Sequence, residues 1–307
     1  MTTLPKISRR AALAGAAALP LAAAATGARA SAEMSGMSIA PYQRVKIGGF
    51  DVSTILAGTA TRPDPHTIFG LNVDDETFAE VSAEAHLPTE AAQFFFTPTV
   101  VNTGNELVLF DTGLNPDGTT AALEAAGYTA DQIDIVVLTH MHGDHIGGLM
   151  RGDAPTFANA SYVTGQTEFD HWSQAGNENF DNKVKPLAEK MSFLEDGGSV
   201  ASGITAMAAF GHTPGHMAYV IESDGKQLVL GADFANHYVW SLAHPEWEVS
   251  FDMDKAAATA TRKKMLDMLA ADNLPFVGYH MPWPAFGYVE KQGDGYRYRP
   301  HSYQLLL

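Results

Sequence analysis

The sequence contains no cysteine in its 307 residues. Disulfides, a thiolate nucleophile and thiolate metal ligands are therefore excluded, so any bound metal ion must be held by histidine and carboxylate side chains. The serine elbow Gly-x-Ser-x-Gly is also absent, so covalent acyl catalysis by serine has no support.

Positive charge is scarce as well. The chain has 19 lysine and arginine residues against 35 aspartate and glutamate residues, a formal net charge of −16. This balance argues against nucleic acid and anionic membrane surfaces as partners, since both attract basic proteins. A small-molecule substrate is expected instead.

The N-terminal 30 residues have the composition of an export signal. Lys6 and the pair Arg9-Arg10 precede an alanine-rich stretch, and Ala28-Arg29-Ala30 has the form of a cleavage site, with Ala30-Ser31-Ala32 as the alternative. The arginine pair resembles a twin-arginine signal. A membrane-spanning helix is a poor alternative, because alanine is weakly apolar and Pro20 interrupts the run.

These features predict three segments. Residues 1–30 form a cleaved twin-arginine-type signal peptide, residues 31–45 a flexible lead-in, and residues 46–307 one α/β domain. Cleavage would remove four of the 19 basic residues and leave 15 against 35 acidic ones. The mature protein is expected to be periplasmic or secreted.

Short buried strands alternate with turns along the domain. The predicted strands are Leu107–Phe110, Ile135–Leu138, Met207–Phe210, Leu228–Leu230 and Phe276–Val277, and the predicted helices are Thr119–Ala126 and Asp254–Ala271. Just past the strands come, in order, Asp111, the stretch from Thr139, His212, Asp233 and His280. Open α/β sheets place their ligands at this edge, so we expect these side chains to converge.

The stretch Thr139–Gly148 reads THMHGDHIGG. His140 and His142 are two residues apart, and on an extended strand end such side chains point the same way, so both can reach one ion. Asp144 and His145 follow a glycine that permits a sharp turn, so they can face a second ion nearby.

The remaining candidate ligands complete two sites. His212 can complete the first and His280 the second, while the two carboxylate oxygens of Asp233 suit a bridge between them. Three or four nitrogen and oxygen ligands per ion, with room for water, describe catalytic zinc sites; manganese, iron or cobalt could substitute. Asp111 is the best candidate for a carboxylate that orients a ligating histidine through its other N–H.

This ordered set resembles the metallo-β-lactamase superfamily. His-Met-His-Gly-Asp-His is followed by Gly-His-Thr-Pro-Gly-His, Gly-Ala-Asp and a late histidine, with Asp-Thr-Gly before them, and the match runs from about Val45 to the C-terminus. The resemblance implies a four-layer αββα sandwich in which the seven ligand positions are filled by His140, His142, Asp144, His145, His212, Asp233 and His280.

Within the superfamily the sequence is similar to methyl parathion hydrolase and its lactonase and arylesterase relatives. Segments such as His142–Met150 and Phe210–His216 carry this similarity. It implies a secreted, binuclear, dimeric enzyme with an aromatic pocket, for which Trp172, Phe180, Phe96 and Trp240 are the candidates. The loop after Gly113 reads LNPDG and lacks the aromatic residue that the organophosphate enzyme carries there.

The predicted function is hydrolysis of lactones and aryl esters, with phosphotriesters as weaker substrates. The nucleophile would be a hydroxide bridging two ions, oriented by Asp233 with Asp144 as the other catalytic carboxylate. Acyl-homoserine lactonase and then β-lactamase are the alternative activities, although a second ion held by Asp144, His145 and His280 is the hydrolase and lactonase pattern. A non-enzymatic periplasmic metal-binding protein is the alternative from another class.

Overall fold

A computed structural model of the chain describes residues 38–302, and the predicted signal peptide lies outside them. Eighteen strands occur in this part of the chain. The first nine are β1 (Tyr42–Ile47), β2 (Phe50–Ile55), β3 (Gly58–Pro63), β4 (Ala91–Phe96), β5 (Thr99–Asn102), β6 (Leu107–Phe110), β7 (Ile135–Leu138), β8 (Met150–Arg151) and β9 (Ala154–Pro155). The others are β10 (Ser161–Gly165), β11 (Met191–Leu194), β12 (Ser199–Ala201), β13 (Ile204–Ala208), β14 (Met217–Ser223), β15 (Lys226–Ala232), β16 (Phe276–Gly278), β17 (Phe286–Gln292) and β18 (Gly295–Pro300).

Six α-helices accompany these strands in the described residues. They are α1 (Asp75–Glu84), α2 (Pro116–Ala125), α3 (Gly143–Ile146), α4 (Gln166–Gln174), α5 (Glu178–Lys183) and α6 (Lys255–Ala271), with short 3-10 helices at Pro65–Thr67, Ala130–Gln132 and Lys185–Lys190. None of the helices within residues 38–302 has the length and apolarity needed to cross a bilayer.

The strands form two large sheets. The first has the order β1-β2-β5-β6-β7-β10-β11 and the second β12-β13-β14-β15-β16-β17-β18, while β3-β4 and β8-β9 are separate pairs. The pairs β6-β7, β7-β10, β10-β11 and β15-β16 are parallel. The apolar runs of β6, β7, β10 and β16 are buried on both faces, as is usual for parallel strands, whereas the edge strand β11 is only partly buried.

The packing produces four layers. Val108 and Val137 of the first sheet meet Tyr219 and Leu228 of the second in the core between the sheets. The neighbouring residues of the same strands point outward, where Leu109 and Val136 pack with Leu123 of α2, Trp172 of α4 and Phe180 of α5. Leu266 and Leu269 of α6 cover the other face of the second sheet. This is the αββα sandwich that the resemblance implied.

Local signals place the helix ends. Asp254 caps α6 by accepting a hydrogen bond from the backbone N–H of Ala257, as predicted. Helix α2 begins at Pro116, three residues before the predicted start, because Asn115 caps it and proline suits the first helical position. Two strand limits also differ from prediction. Strand β13 ends at Ala208, and β1 begins at Tyr42, inside the segment expected to be a flexible lead-in.

Candidate metal centre

The predicted ligands converge at one edge of the two sheets. His140 and His142 follow strand β7, helix α3 carries Asp144 and His145, and Asp233 and His280 lie just past the ends of β15 and β16. His212 lies in the loop between β13 and β14. The side chains form two groups, His140 with His142 and His212, and Asp144 with His145, Asp233 and His280, and in each group the donor atoms lie within 4.8 Å of one another.

The first group consists of three imidazoles facing one point. The Nδ1 atom of His142 lies 3.2 Å from Nε2 of His140 and 2.9 Å from Nε2 of His212. Three ring nitrogens this close cannot satisfy one another with protons alone, whereas one cation can accept all three lone pairs. Burial and the neighbouring imidazoles lower the pKa of His142 to about 3, so its ring is neutral, the form that binds metal.

The second group places a carboxylate oxygen between the two sites. Oδ2 of Asp233 lies 3.5 Å from Nε2 of His145, 3.3 Å from Nε2 of His280 and 3.5 Å from Nε2 of His212. Its other oxygen, Oδ1, and Nε2 of His145 are buried without a hydrogen-bond partner. Buried polar atoms are rarely left unpaired, and a cation at this point would satisfy both. The residues present therefore fit a metal ion at each group.

Charge in the second group is balanced by its carboxylates. Burial alone would lower the pKa of His280, but Asp233 and Asp144 outweigh it and raise that pKa to about 10. Burial likewise opposes the charged form of His145, yet Asp111, Asp144 and Asp233 hold its pKa well above the usual value. A divalent cation bound here would supply the positive charge that these protons otherwise provide.

Buried carboxylates orient the ligating rings. Asp111 lies 2.8 Å from Nδ1 of His145, the position that its predicted supporting role requires, and it also accepts hydrogen bonds from the backbone N–H and hydroxyl of Thr139. Asp252, which the sequence did not indicate, lies 2.9 Å from Nδ1 of His212. Its second oxygen accepts a 2.6 Å hydrogen bond from Arg262, a fully buried side chain of α6.

Glu168 is a second functional residue that the sequence did not indicate. Its fully buried carboxylate accepts hydrogen bonds from the backbone N–H of Met141 and the indole N–H of Trp172 on one oxygen, and from the Thr213 hydroxyl and Gly215 N–H on the other. Met141 lies between two ligands of the first group and Thr213 follows the third. Glu168 therefore ties together the two loops that form the three-histidine group.

His216, at the end of the Gly-His-Thr-Pro-Gly-His segment, has a supporting position. Its ring is buried, and Nε2 accepts a hydrogen bond from the backbone N–H of Asp233 at 3.0 Å. Burial lowers the pKa of His216 to about 3, so the ring is neutral and can accept that bond. This geometry agrees with a role in holding the loops rather than in ligation.

A model of the metallo-beta-lactamase superfamily matches residues 97–280, more than half of the chain. The chain belongs to the metallo-beta-lactamase superfamily. The uncharacterized protein YobT of Bacillus subtilis (strain 168) is 26% identical over 193 residues, which cover 57% of this chain and 78% of YobT. An N-acyl homoserine lactonase of Bacillus cereus is 24% identical over 152 residues, which cover 50% of this chain and 58% of that lactonase.

A solved structure has the same fold. AidC, a dizinc quorum-quenching lactonase in complex with a product, superposes with a TM-score of 0.80 at 25% identity, covering 85% of this chain and 98% of AidC. Together with the superfamily match and the ligand groups, this similarity makes the chain a metal-dependent hydrolase of the metallo-beta-lactamase superfamily, with lactonases among its relatives.

A cavity of about 480 Å³ opens over the metal groups. Its apolar wall consists of Phe94, Phe96, Phe251 and Leu114. Phe94 and Phe96 meet the ring of His280 edge-on, with ring centroids 5.5 and 5.6 Å from it. Phe96 thus lines the cavity as predicted, and Phe94 and Phe251 are aromatic wall residues that were not assigned to it.

The other three predicted pocket aromatics do not line this cavity. Phe180 packs in the core beneath α5, and Trp172 lies in the same core with its indole N–H bound to Glu168. Trp240 is buried among Phe69 and Phe78, where its N–H is bonded to a serine. Each prediction was wrong for the same reason, because a long aromatic side chain near the ligands in sequence can point into the core as easily as into the cavity.

Proposed function

We propose that the chain is a periplasmic or secreted hydrolase of lactones and aryl esters that works with two divalent metal ions, most favourably zinc. The position of Asp233 is the observation that carries this proposal. One of its oxygens lies within 3.5 Å of ring nitrogens from both ligand groups, as a bridging ligand must. The lactonases among the relatives support the same reaction class.

The chain's own residues have distinct tasks in this reaction. When bound, two divalent ions would lower the pKa of water and polarise the substrate carbonyl. Asp233, whose side chain is 4% exposed, holds the two groups together, and Asp144, at 22% exposed, is the carboxylate able to relay a proton from water to the leaving oxygen. Within the cavity lining no serine, threonine or tyrosine hydroxyl is present, which agrees with direct attack by water.

The cavity wall favours lactones, whose leaving alkoxide carries no aromatic ring, over phosphotriesters with an aryl leaving group. The loop after Gly113 contributes Leu114, which is 39% exposed, in place of an aromatic wall. A flat leaving group would lose stacking there, and an aromatic pair is worth about 0.5–1.5 kcal/mol beyond area burial, or up to about tenfold in rate.

A substrate panel tests the proposed function. Protein purified without chelator should turn over aryl esters and lactones with a higher kcat/KM than methyl parathion or β-lactams. A higher kcat/KM for methyl parathion than for every lactone and aryl ester would reverse the proposed order, and it would make the special similarity to methyl parathion hydrolase the better description. Absence of turnover on all four classes would contradict the proposed reaction.

Acyl-homoserine lactonase is the second candidate activity. The similarity to AidC and to the Bacillus cereus lactonase favours it. The panel therefore includes acyl-homoserine lactones of several chain lengths, and a preference for them over simple γ-lactones would assign the function to this class. A metal-binding protein without activity would show two bound ions and no turnover of any ester.

A further inference from the structure

The charged residues of the cavity fall into two sets. The acidic ones are Asp144 and Asp233, both members of the metal group. The remaining charged lining residues are Arg62 and Lys183, both basic. The whole chain has 35 acidic and 19 basic residues, so a cavity lining of average composition would contain more acidic than basic side chains.

Neither cation has an acidic partner within the described part of the chain. Among residues 38–302, no carboxylate lies within the 4.0 Å ion-pair distance of Arg62 or Lys183. Lys185, two residues further along, does pair with Asp181 at 3.1 Å. The positive charge of Lys183 is therefore available to a molecule in the cavity.

Lys183 is also held in place. The side chain is half-buried, and its ammonium donates one hydrogen bond of 2.9 Å to the carbonyl oxygen of Gly147. An ammonium has three donors, so further donors remain for a ligand. Gly147 and Asn179, the latter one helical turn before Lys183 in α5, also line the cavity, whose apolar wall includes Phe94, Phe96 and Phe251.

We propose that the preferred substrates carry an anionic group, such as a carboxylate, on the acyl side remote from the scissile ester, and that Lys183 binds it. This inference rests on the proposed ester hydrolysis. The scissile carbonyl would lie over the metal groups and the apolar part of the substrate against the phenylalanines. A charge-assisted hydrogen bond to a partly buried ammonium is among the stronger polar contacts available.

A matched pair of substrates tests the proposal. The mono-4-nitrophenyl ester of glutarate and 4-nitrophenyl pentanoate have acyl chains of five carbons and the same leaving group, and they differ in a terminal carboxylate against a methyl group. The wild-type enzyme should prefer the glutarate ester by roughly threefold to tenfold in kcat/KM. The preference should shrink at 1 M salt, where the screening length falls to about 3 Å.

Three variants test whether Lys183 is responsible for the preference for the glutarate ester. Lys183→Gln removes the charge but keeps an N–H donor at this position, and it should lower kcat/KM for the glutarate ester several-fold more than kcat/KM for the pentanoate ester, so that most of the preference is lost. Lys183→Arg should retain the preference, which separates charge from folding. Lys185→Met is the matched control on an exposed, paired lysine and should have no effect.

Binding of the two free acids tests the anion site independently of ester turnover. By calorimetry, glutarate should bind the metal-loaded wild-type protein more tightly than pentanoate, and Lys183→Gln should remove the difference. Equal rates for the two esters, with equal binding of the two acids, would overturn the proposal while leaving ester hydrolysis intact. If neither ester is hydrolysed, the proposed function fails, and the calorimetric comparison still accepts or rejects the anion site.

Discussion

At the scale of single residues, the site depends on carboxylates that each serve several partners. Asp233 reaches rings of both ligand groups, Asp111 and Asp252 each orient one ligating histidine, and Glu168 accepts four hydrogen bonds. Removing one such carboxylate leaves several buried donors or a buried cation without a partner. The resulting loss of stability or metal affinity should therefore exceed the loss from removing an ordinary hydrogen bond.

Asp233 should be required for metal content. Asp233→Ala should lose at least one of two bound ions and lower kcat/KM by about 100-fold or more, because the carboxylate that reaches ring nitrogens of both groups is removed. The exposed Asp153 provides the control, and Asp153→Asn should leave both quantities unchanged. Metal analysis by mass spectrometry alongside kinetics checks this; no bound metal in the wild type, or full activity in Asp233→Ala, would refute the binuclear proposal.

Glu168 should act on the first ligand group although it touches no ligand ring. Glu168→Gln has the same shape, but an amide NH₂ cannot accept hydrogen bonds, so at least one buried donor among Met141, Gly215 and Trp172 is left unpaired. We expect metal affinity at the three-histidine group to fall by about 10–100-fold. Titration against a competing chelator measures this, with exposed Glu178→Gln as control. Unchanged affinity with only a lower Tm would make Glu168 a purely structural residue.

At the scale of elements, helix α6 connects the outer layer to the site. Arg262 extends from this helix to Asp252 and donates to the carbonyl oxygens of Phe234, Pro245 and Trp247. Through Asp252 it reaches the ring of His212. The helix thus packs the second sheet with its leucines and holds a ligand loop with one arginine.

Replacing this arginine should destabilise the whole domain. Arg262→Met leaves the Asp252 carboxylate buried without its cation, which costs about 3–5 kcal/mol of unfolding free energy. Lys264→Met on the exposed face of the same helix should change it by less than about 0.5 kcal/mol. Urea unfolding measures both variants, and a loss below 1 kcal/mol in Arg262→Met would contradict this prediction.

Trp172, in helix α4, should affect stability rather than substrate binding. If Trp172 lined the cavity, Trp172→Ala would mainly raise the KM. Because the indole is buried in the core and bonded to Glu168, the substitution should instead cost about 3–5 kcal/mol of stability. Thermal unfolding together with kinetics on a neutral aryl ester checks this, and a raised KM with an unchanged Tm would contradict it.

At the scale of the whole molecule, the proposed location depends on residues outside the described part of the chain. Arg9→Lys combined with Arg10→Lys should leave unprocessed precursor in the cytoplasm, because the twin-arginine route reads that pair. Fractionation and mass determination of the product check this. Normal export of the double variant would assign the general secretory route instead. Light scattering on the mature protein tests the proposed homodimer.

The sequence by itself determined the fold class of this protein and which candidate ligands come together. His140 to His145 are neighbours in the chain, and the other ligands each follow a short apolar strand, so local spacing and strand ends suffice to predict that they converge. Tertiary structure alone decided which aromatic residues line the cavity and which buried groups support the ligands. Glu168 meets Met141 and Gly215, and Asp252 meets His212, across 27 to 47 residues of sequence, where no spacing pattern exists. Trp172 and Phe96 differ in role only through the direction in which the packed backbone points their side chains.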